Sequence, residues 1–190
     1  MTEPLFTLAN QLTLLRMLLI PVFVILMLYG YRAWALVVFL LAGVTDLLDG
    51  LAARRTGQKT TLGVWLDPAA DKLLIVATVV VLTLPNIGLV HPLPLWLTIL
   101  AISRDVGIVA TVAVVNLAMG PRTFKPSLLG KAATAGYIVA CAVVLLVNVV
   151  QAMDVLADLA IWIAAALTVA SGAHYVWTFA RVINRTQPLE

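Results

Sequence analysis

The stretch Asp46–Asp71 reads DLLDGLAARRTGQKTTLGVWLDPAAD, and its four carboxylates, Asp46, Asp49, Asp67 and Asp71, fall inside or against apolar sequence of helical character. An ionised group in such surroundings is costly unless a partner compensates its charge, so these four require cations. Asp46 and Asp49 are three residues apart and Asp67 and Asp71 four apart, so each pair projects from one face of a helix. The link Arg54–Thr61, polar and basic with Gly57 inside it, is short enough to return the second helix antiparallel to the first. Both pairs then lie at one membrane depth.

Clustered carboxylate oxygens suit hard divalent ions, Mg²⁺ above all, then Mn²⁺ or Ca²⁺. No Cys or His cluster offers a zinc site. Gly50, directly after Asp49, removes a side chain where a ligand approaches the backbone, and Arg54 adds a fork of donors suited to phosphate. Together these residues suggest metal-assisted work on a phosphate ester.

The rest of the chain sets that site in a membrane. With 63% hydrophobic residues, 11% charged and a mean hydropathy of +1.07, the composition excludes an ordinary soluble domain. At about 20 residues per crossing, the 190 residues hold roughly six to eight helices and leave no separate soluble domain. The expected fold is an all-α integral membrane protein, one domain of six transmembrane helices over roughly 8–29, 33–52, 66–88, 93–118, 128–150 and 156–180. Breaks fall at Gly30-Tyr31-Arg32, the basic link to Lys59, His91-Pro92-Leu93-Pro94, Gly120 to Pro126, and Asp154 to Asp158. The start, MTEPLFTLAN, has no basic segment or small-residue cleavage site, so no removable signal peptide is expected. Cys141, the single cysteine, sits in an apolar run and reads as a packing residue.

Charge placement supplies an orientation. Arg54, Arg55 and Lys59 lie in the second link, Arg122 and Lys125 in the fourth, and Arg181 and Arg185 near the C-terminus, whereas the third and fifth links carry no Lys or Arg. The even links and both termini are therefore expected in the cytoplasm, with Arg32 the dissenting charge, and the carboxylate site faces the cytoplasm.

Other polar residues within the spans need partners. Asn10, Thr13 and Arg16 open the first helix and read as an interfacial start with a snorkelling Arg. Arg104 and Asp105 are adjacent in the fourth span, and neighbours on a helix do not face one another, so each is expected to find its partner elsewhere. Arg104, Arg122, Lys125 and Lys131 together form a candidate anion pocket, with positive-inside charge as the alternative for Arg122 and Lys125. His91 and His174, without carboxylate or second-His spacing, read as interfacial packing residues.

Asp46, Asp49, Gly50, Ala53, Arg54, Gly63, Asp67 and Asp71 stand in the order D-x2-D-G-x2-A-R-x8-G-x3-D-x3-D, which resembles the signature of the CDP-alcohol phosphatidyltransferase family. Eight positions fixed over one stretch make this far more specific than a lone D-x-x-D, which helix capping would explain. The resemblance implies transfer of a phosphatidyl or phospho-alcohol group from a CDP-linked donor to a hydroxyl, with release of CMP. It implies two divalent cations, Mg²⁺ or Mn²⁺, held by Asp46, Asp49, Asp67 and Asp71, and Asp71 as the base for the acceptor hydroxyl. It also implies that Gly50, Ala53, Arg54 and Gly63 contact the cytidine nucleotide, with Asn10, Thr13 and Arg16 bordering its entrance.

Within the family, LAGVTDLLDG, LDPAADKLLI, ISRDV and FKPSLLGK look like the cardiolipin synthases of CDP-alcohol type, whose acceptor is phosphatidylglycerol. Phosphatidylglycerophosphate synthases, which use glycerol 3-phosphate, share many of these features. The implied partners are CDP-diacylglycerol, a glycerol-phosphate acceptor held by Arg104, Lys131, Arg122 and Lys125, and membrane lipids. A homodimer stays open, and no nucleic acid is implied. Two other classes also use membrane carboxylates. Intramembrane prenyltransferases are longer and separate their Asp motifs, and a cation transporter has no need of the Gly50, Ala53, Arg54 and Gly63 frame.

Overall fold

Long apolar runs punctuated by Gly, Pro and short polar links leave the backbone one way to satisfy its N–H and C=O groups in lipid, which is to form helices. The computed structural model describes residues 8–56, 61–119 and 127–184, except for the side chains of 8–9, 47, 49–56, 61–65, 115, 118–119 and 179–184. Those residues form six helices: α1 Leu8–Leu28, α2 Arg32–Thr56, α3 Thr61–Thr83, α4 Leu95–Met119, α5 Leu128–Val150 and α6 Asp154–Asn184. There is no strand among the described residues.

Several boundaries move from the sequence expectation, each for a local reason. The helix α2 continues to Thr56, so Arg54 and Arg55 are helical and do not belong to the link; Ala, Leu and Arg are all good helix formers. At its other end α3 stops at Thr83, well before 88, because Leu84 precedes Pro85 and Asn86 and Gly88 adopt positive φ. α6 begins at Asp154, whose carboxylate favours a helix N-terminus, and runs beyond 180 to Asn184. The end of α1 is a Schellman cap: Gly30, at φ 80, donates to the Met27 carbonyl at 3.1 Å and Tyr31 to that of Leu26 at 2.8 Å.

By its contacts the chain divides into two compact units, one of Met1–Pro92 with Cys141–Asp154 and one of Leu93–Ala140 with Val155–Glu190. In the first, α1 packs against both α2 and α3. Small residues on the inner faces, Ala35, Ala42 and Ala70, let the backbones approach, and Phe23 and Phe39 meet at 6.1 Å between ring centroids. Buried Thr45 and Thr78 donate their hydroxyls to carbonyls of their own helices, Ala42 at 2.7 Å and Leu74 at 2.7 Å.

Links of the first unit are tied by side chains. The Arg32 guanidinium, the dissenting charge of the orientation argument, donates to the Gly88 carbonyl. Asn148, buried on α5, accepts from Val90 N at 2.8 Å and His91 N at 3.1 Å, and donates to the carbonyls of His91 at 2.7 Å and Val144 at 2.8 Å. The His91 Nε2 lies 3.0 Å from Asp154 Oδ1. His91 therefore has a carboxylate partner, supplied by a residue far along the chain that sequence spacing could not bring to it.

In the second unit, α4, the N-terminal part of α5 and α6 again meet through small residues, including Ala101, Ala133, Ala164 and Ala165. A Cβ on Gly136 would lie 2.9 Å from Leu167 Cδ1 and 3.7 Å from Ala164 Cα, so the missing side chain allows α5 to sit close to α6. Trp96 and Trp162 pair at 5.5 Å.

The distribution of polarity is that of a membrane protein. Asn10, Thr13, Arg16 and Asn148 are buried, while Leu18, Leu117, Trp162 and Val176 are exposed. Among the described residues four helices are long and apolar enough to cross a bilayer, within α1, α4, α5 and α6. The carboxylates of the signature are carried by the other two, α2 and α3.

Candidate active site

The site is built on one face of α1. Thr13 and Arg16, three residues apart, point inward, while Leu14, Leu15 and Leu18 point out. The Thr13 hydroxyl donates to Asp67 Oδ1. Arg16 Nη1 donates to Asp71 Oδ1 and lies 3.1 Å from Asp46 Oδ1. One guanidinium therefore joins a carboxylate of α2 to a carboxylate of α3, and a hydroxyl one turn earlier fixes a third carboxylate. Asp67 and Asp71 stand one turn apart on α3. Between them Pro68 lacks the N–H that would donate to the Val64 carbonyl, so the helix is locally relieved of a hydrogen bond beside the cluster.

Arg16 is the residue that sequence reasoning cast wrongly. It does not snorkel: its side chain is 0% exposed, whereas those of Asp46 and Asp71 are 39% and 43% exposed. Two carboxylates within reach of a planar fork outweigh the route to the interface, because an unpaired guanidinium in the helix bundle would be costly. The signal was available in principle, since an Arg, a Thr and an Asn at helical spacing in an otherwise apolar span already imply a shared inward face. Asn10 is buried on the same helix.

Among the described residues no three His, Cys, Asp or Glu side chains close on a single point as a finished metal site. The donor chemistry nonetheless fits a hard divalent ion. Carboxylates from two helices meet donors on one face of α1, two of them at the same cationic group, and no sulfur or imidazole is among the contacts of Arg16 and Thr13 given above. Asp49, Gly50, Ala53 and Arg54 lie on α2 and Gly63 on α3; their side-chain surroundings fall outside the described residues.

The candidate acceptor cations divide differently. Arg104 Nη1 pairs with Asp105 Oδ1 at 2.8 Å, and Nη2 donates to the Gly130 carbonyl at 3.2 Å and to Ser171 Oγ at 3.0 Å. The expectation that neighbours 104 and 105 must look elsewhere is corrected by the length of the Arg side chain, which wraps back along its own helix while its second nitrogen reaches α5 and α6. Neither Gly130 nor Ser171 was anticipated as a partner, because a backbone carbonyl and a single serine leave no sequence signature. Arg104 borders a cavity of about 460 Å³ between α4 and α6, with Ser103, Thr111 and Tyr175 among its polar walls. Lys131 is exposed near the start of α5. Arg122 and Lys125 lie outside the described residues.

Comparison with known proteins bears on the same stretch. The sequence profile described as CDP-alcohol phosphatidyltransferase matches residues 6–170. Over 187 residues, 90% of this chain and 93% of the relative, the sequence is 34% identical to the CDP-diacylglycerol–glycerol-3-phosphate 3-phosphatidyltransferase of Bacillus subtilis. It is 40% identical over 139 residues to the CMP-forming cardiolipin synthase of Streptomyces coelicolor, spanning 70% of this chain and 62% of that one. To the CMP-forming cardiolipin synthase of Rattus norvegicus it is 35% identical over 192 residues, spanning 93% of this chain and 62% of that one. The match takes in α1 with its Thr13 and Arg16, every position of the Asp46–Asp71 signature, and Arg104 and Lys131 as well. The chain belongs to the CDP-alcohol phosphatidyltransferase family, and is an enzyme of phospholipid synthesis.

Proposed function

We propose that the chain transfers the phosphatidyl group of CDP-diacylglycerol to a hydroxyl of a glycerol-phosphate-type acceptor, releasing CMP, with phosphatidylglycerol as the acceptor and cardiolipin as the product. The observation that carries this reading is the assembly of Asp46, Asp67 and Asp71 around Thr13 and Arg16, a carboxylate cluster suited to a diphosphate with its cations. Asp46, Asp49, Asp67 and Asp71 would hold two divalent cations, Mg²⁺ or Mn²⁺. When bound, such ions neutralise the diphosphate and stabilise the leaving CMP oxygen.

Asp71 accepts the proton of the acceptor hydroxyl as its oxygen bonds to the phosphatidyl phosphorus and the bond from that phosphorus to CMP breaks. Gly50, Ala53, Arg54 and Gly63 contact the nucleotide, with Asn10 near its entrance. Lys131, with Arg122 and Lys125, receives the acceptor phosphate. Arg104 adds positive charge more than free terminal donors, since Nη1 and Nη2 already have partners, and the cavity it borders has room for part of a lipid. Six spans with both termini cytoplasmic place these chemistries on the cytoplasmic face, where CMP can leave into water while lipid enters from the side.

Glycerol 3-phosphate is a second reading of the acceptor, favoured by the Bacillus subtilis relative, of which this chain spans 93% against 62% for the two cardiolipin synthases. The deciding experiment supplies purified protein with CDP-diacylglycerol, Mg²⁺ and an equimolar panel of phosphatidylglycerol, glycerol 3-phosphate, inositol and serine, follows CMP release, and identifies the lipid by mass spectrometry. Cardiolipin is expected. Phosphatidylglycerophosphate would move the assignment to the second reading, and phosphatidylinositol, phosphatidylserine or no CMP release would overturn both.

A further inference from the structure

In an ion pair closed off from water both partners are desolvated, and their attraction repays that cost only in good geometry with their remaining hydrogen bonds satisfied. Arg16 departs from that pattern: it is 0% exposed, yet the two carboxylates it joins keep 39% and 43% of their side-chain surface open. The guanidinium lies behind them, on the α1 side, and the solvent-accessible sides of the carboxylates are left over. Thr13 stands in the same relation to Asp67, a buried donor on α1 beneath a carboxylate that is only half-buried.

We propose that Thr13 and Arg16 form a positioning ledge for the divalent-cation ligands, holding one oxygen each of Asp67, Asp71 and Asp46 from the buried side so that the exposed part of each carboxylate keeps a fixed direction toward an incoming ion. This rests on the cation-dependent reading above and adds to it the residues that orient the ligands. Donors placed behind metal ligands fix their rotamers, and their loss typically lowers affinity on the order of 10–100-fold. Both carboxylates meet the same nitrogen, Nη1, so a Lys at this position keeps the charge but loses the planar guanidinium that fixes the direction of that nitrogen.

The test is Mn²⁺ binding to the full chain in lipid nanodiscs with saturating CMP, read as free Mn²⁺ by electron paramagnetic resonance, so that catalysis is not the readout. Arg16→Met and Thr13→Val are expected to weaken Mn²⁺ binding on the order of 10–100-fold, with Arg16→Lys intermediate between Met and the native residue. Thr13→Val changes no charge and little volume, so it carries the test if Arg16→Met does not accumulate. Unchanged affinity in Thr13→Val and Arg16→Lys, with native protein binding Mn²⁺, overturns the ledge alone. Tighter binding in Arg16→Met also overturns it, and makes Arg16 a competitor for the site. Absence of Mn²⁺ binding in the native protein overturns the cation reading and the ledge with it.

Discussion

Asp71 carries two demands on one carboxylate: it accepts a hydrogen bond from Arg16, and in the proposed reaction it takes the acceptor's proton. Asp71→Asn separates them. The amide keeps an oxygen for Arg16 but has no basic lone pair, so turnover is expected to fall by about 10²–10⁴-fold while CDP-lipid binding is partly retained. Single-turnover rates measured beside CDP-lipid affinity check this, and a variant within a few-fold of the native rate would remove Asp71 from the role of base. Asp46→Asn and Asp67→Asn belong to the other class, and nucleotide and cation binding should weaken together. What distinguishes the three carboxylates is their place along α2 and α3, since each has a donor from α1.

The helices show how polar residues live in an apolar chain. Thr78, Thr83 and Thr168 each donate to the carbonyl four residues back, at 2.7 Å, so their hydroxyls need nothing from another helix. Asn148 does the opposite work, since its amide group serves Val90, His91 and Val144 together. Asn148→Leu would leave two backbone donors and two carbonyls without that partner, and a loss of about 2–4 kcal/mol in the unfolding free energy of the purified protein is expected. Denaturant titration against Asn148→Gln and native protein checks it; no loss would show that water replaces the clasp fully. The helices themselves were legible in the sequence because apolar length is a local property, and the i, i+3 and i, i+4 spacing pointed to the carboxylates of which Asp46, Asp67 and Asp71 meet donors of α1. Arg16, Arg104 and His91 were not placed correctly, because each depends on a partner 26 to 67 residues away or on how far a long side chain reaches back. The end of α2 was also misjudged, as a basic helix terminus and a link read alike, and that of α3 because the apolar run continues past the residues at which Pro85 and Asn86 end the helix.

At the scale of the molecule, the orientation can be tested without catalysis. After Cys141, which is buried, is replaced by Ala, single cysteines placed at 57–60 and near the C-terminus are expected to react with an impermeant reagent only from the cytoplasmic side. Labelling of 57–60 from the opposite side would reverse the orientation and deny the proposed site its cytoplasmic CDP-lipid. The clasp of Asn148 has a further consequence, in time. Val90 and His91 are synthesised 58 and 57 residues ahead of the side chain that receives their amides. At about 5–20 residues per second on the ribosome, the link between α3 and α4 waits roughly 3–12 s for its partner, against a microsecond or less for a helix to form. Through that interval its amides must be held by water at the membrane surface, so the nascent chain keeps this link outside the hydrocarbon until α5 arrives. A helix late in the sequence thereby determines when an early part of the protein is finished.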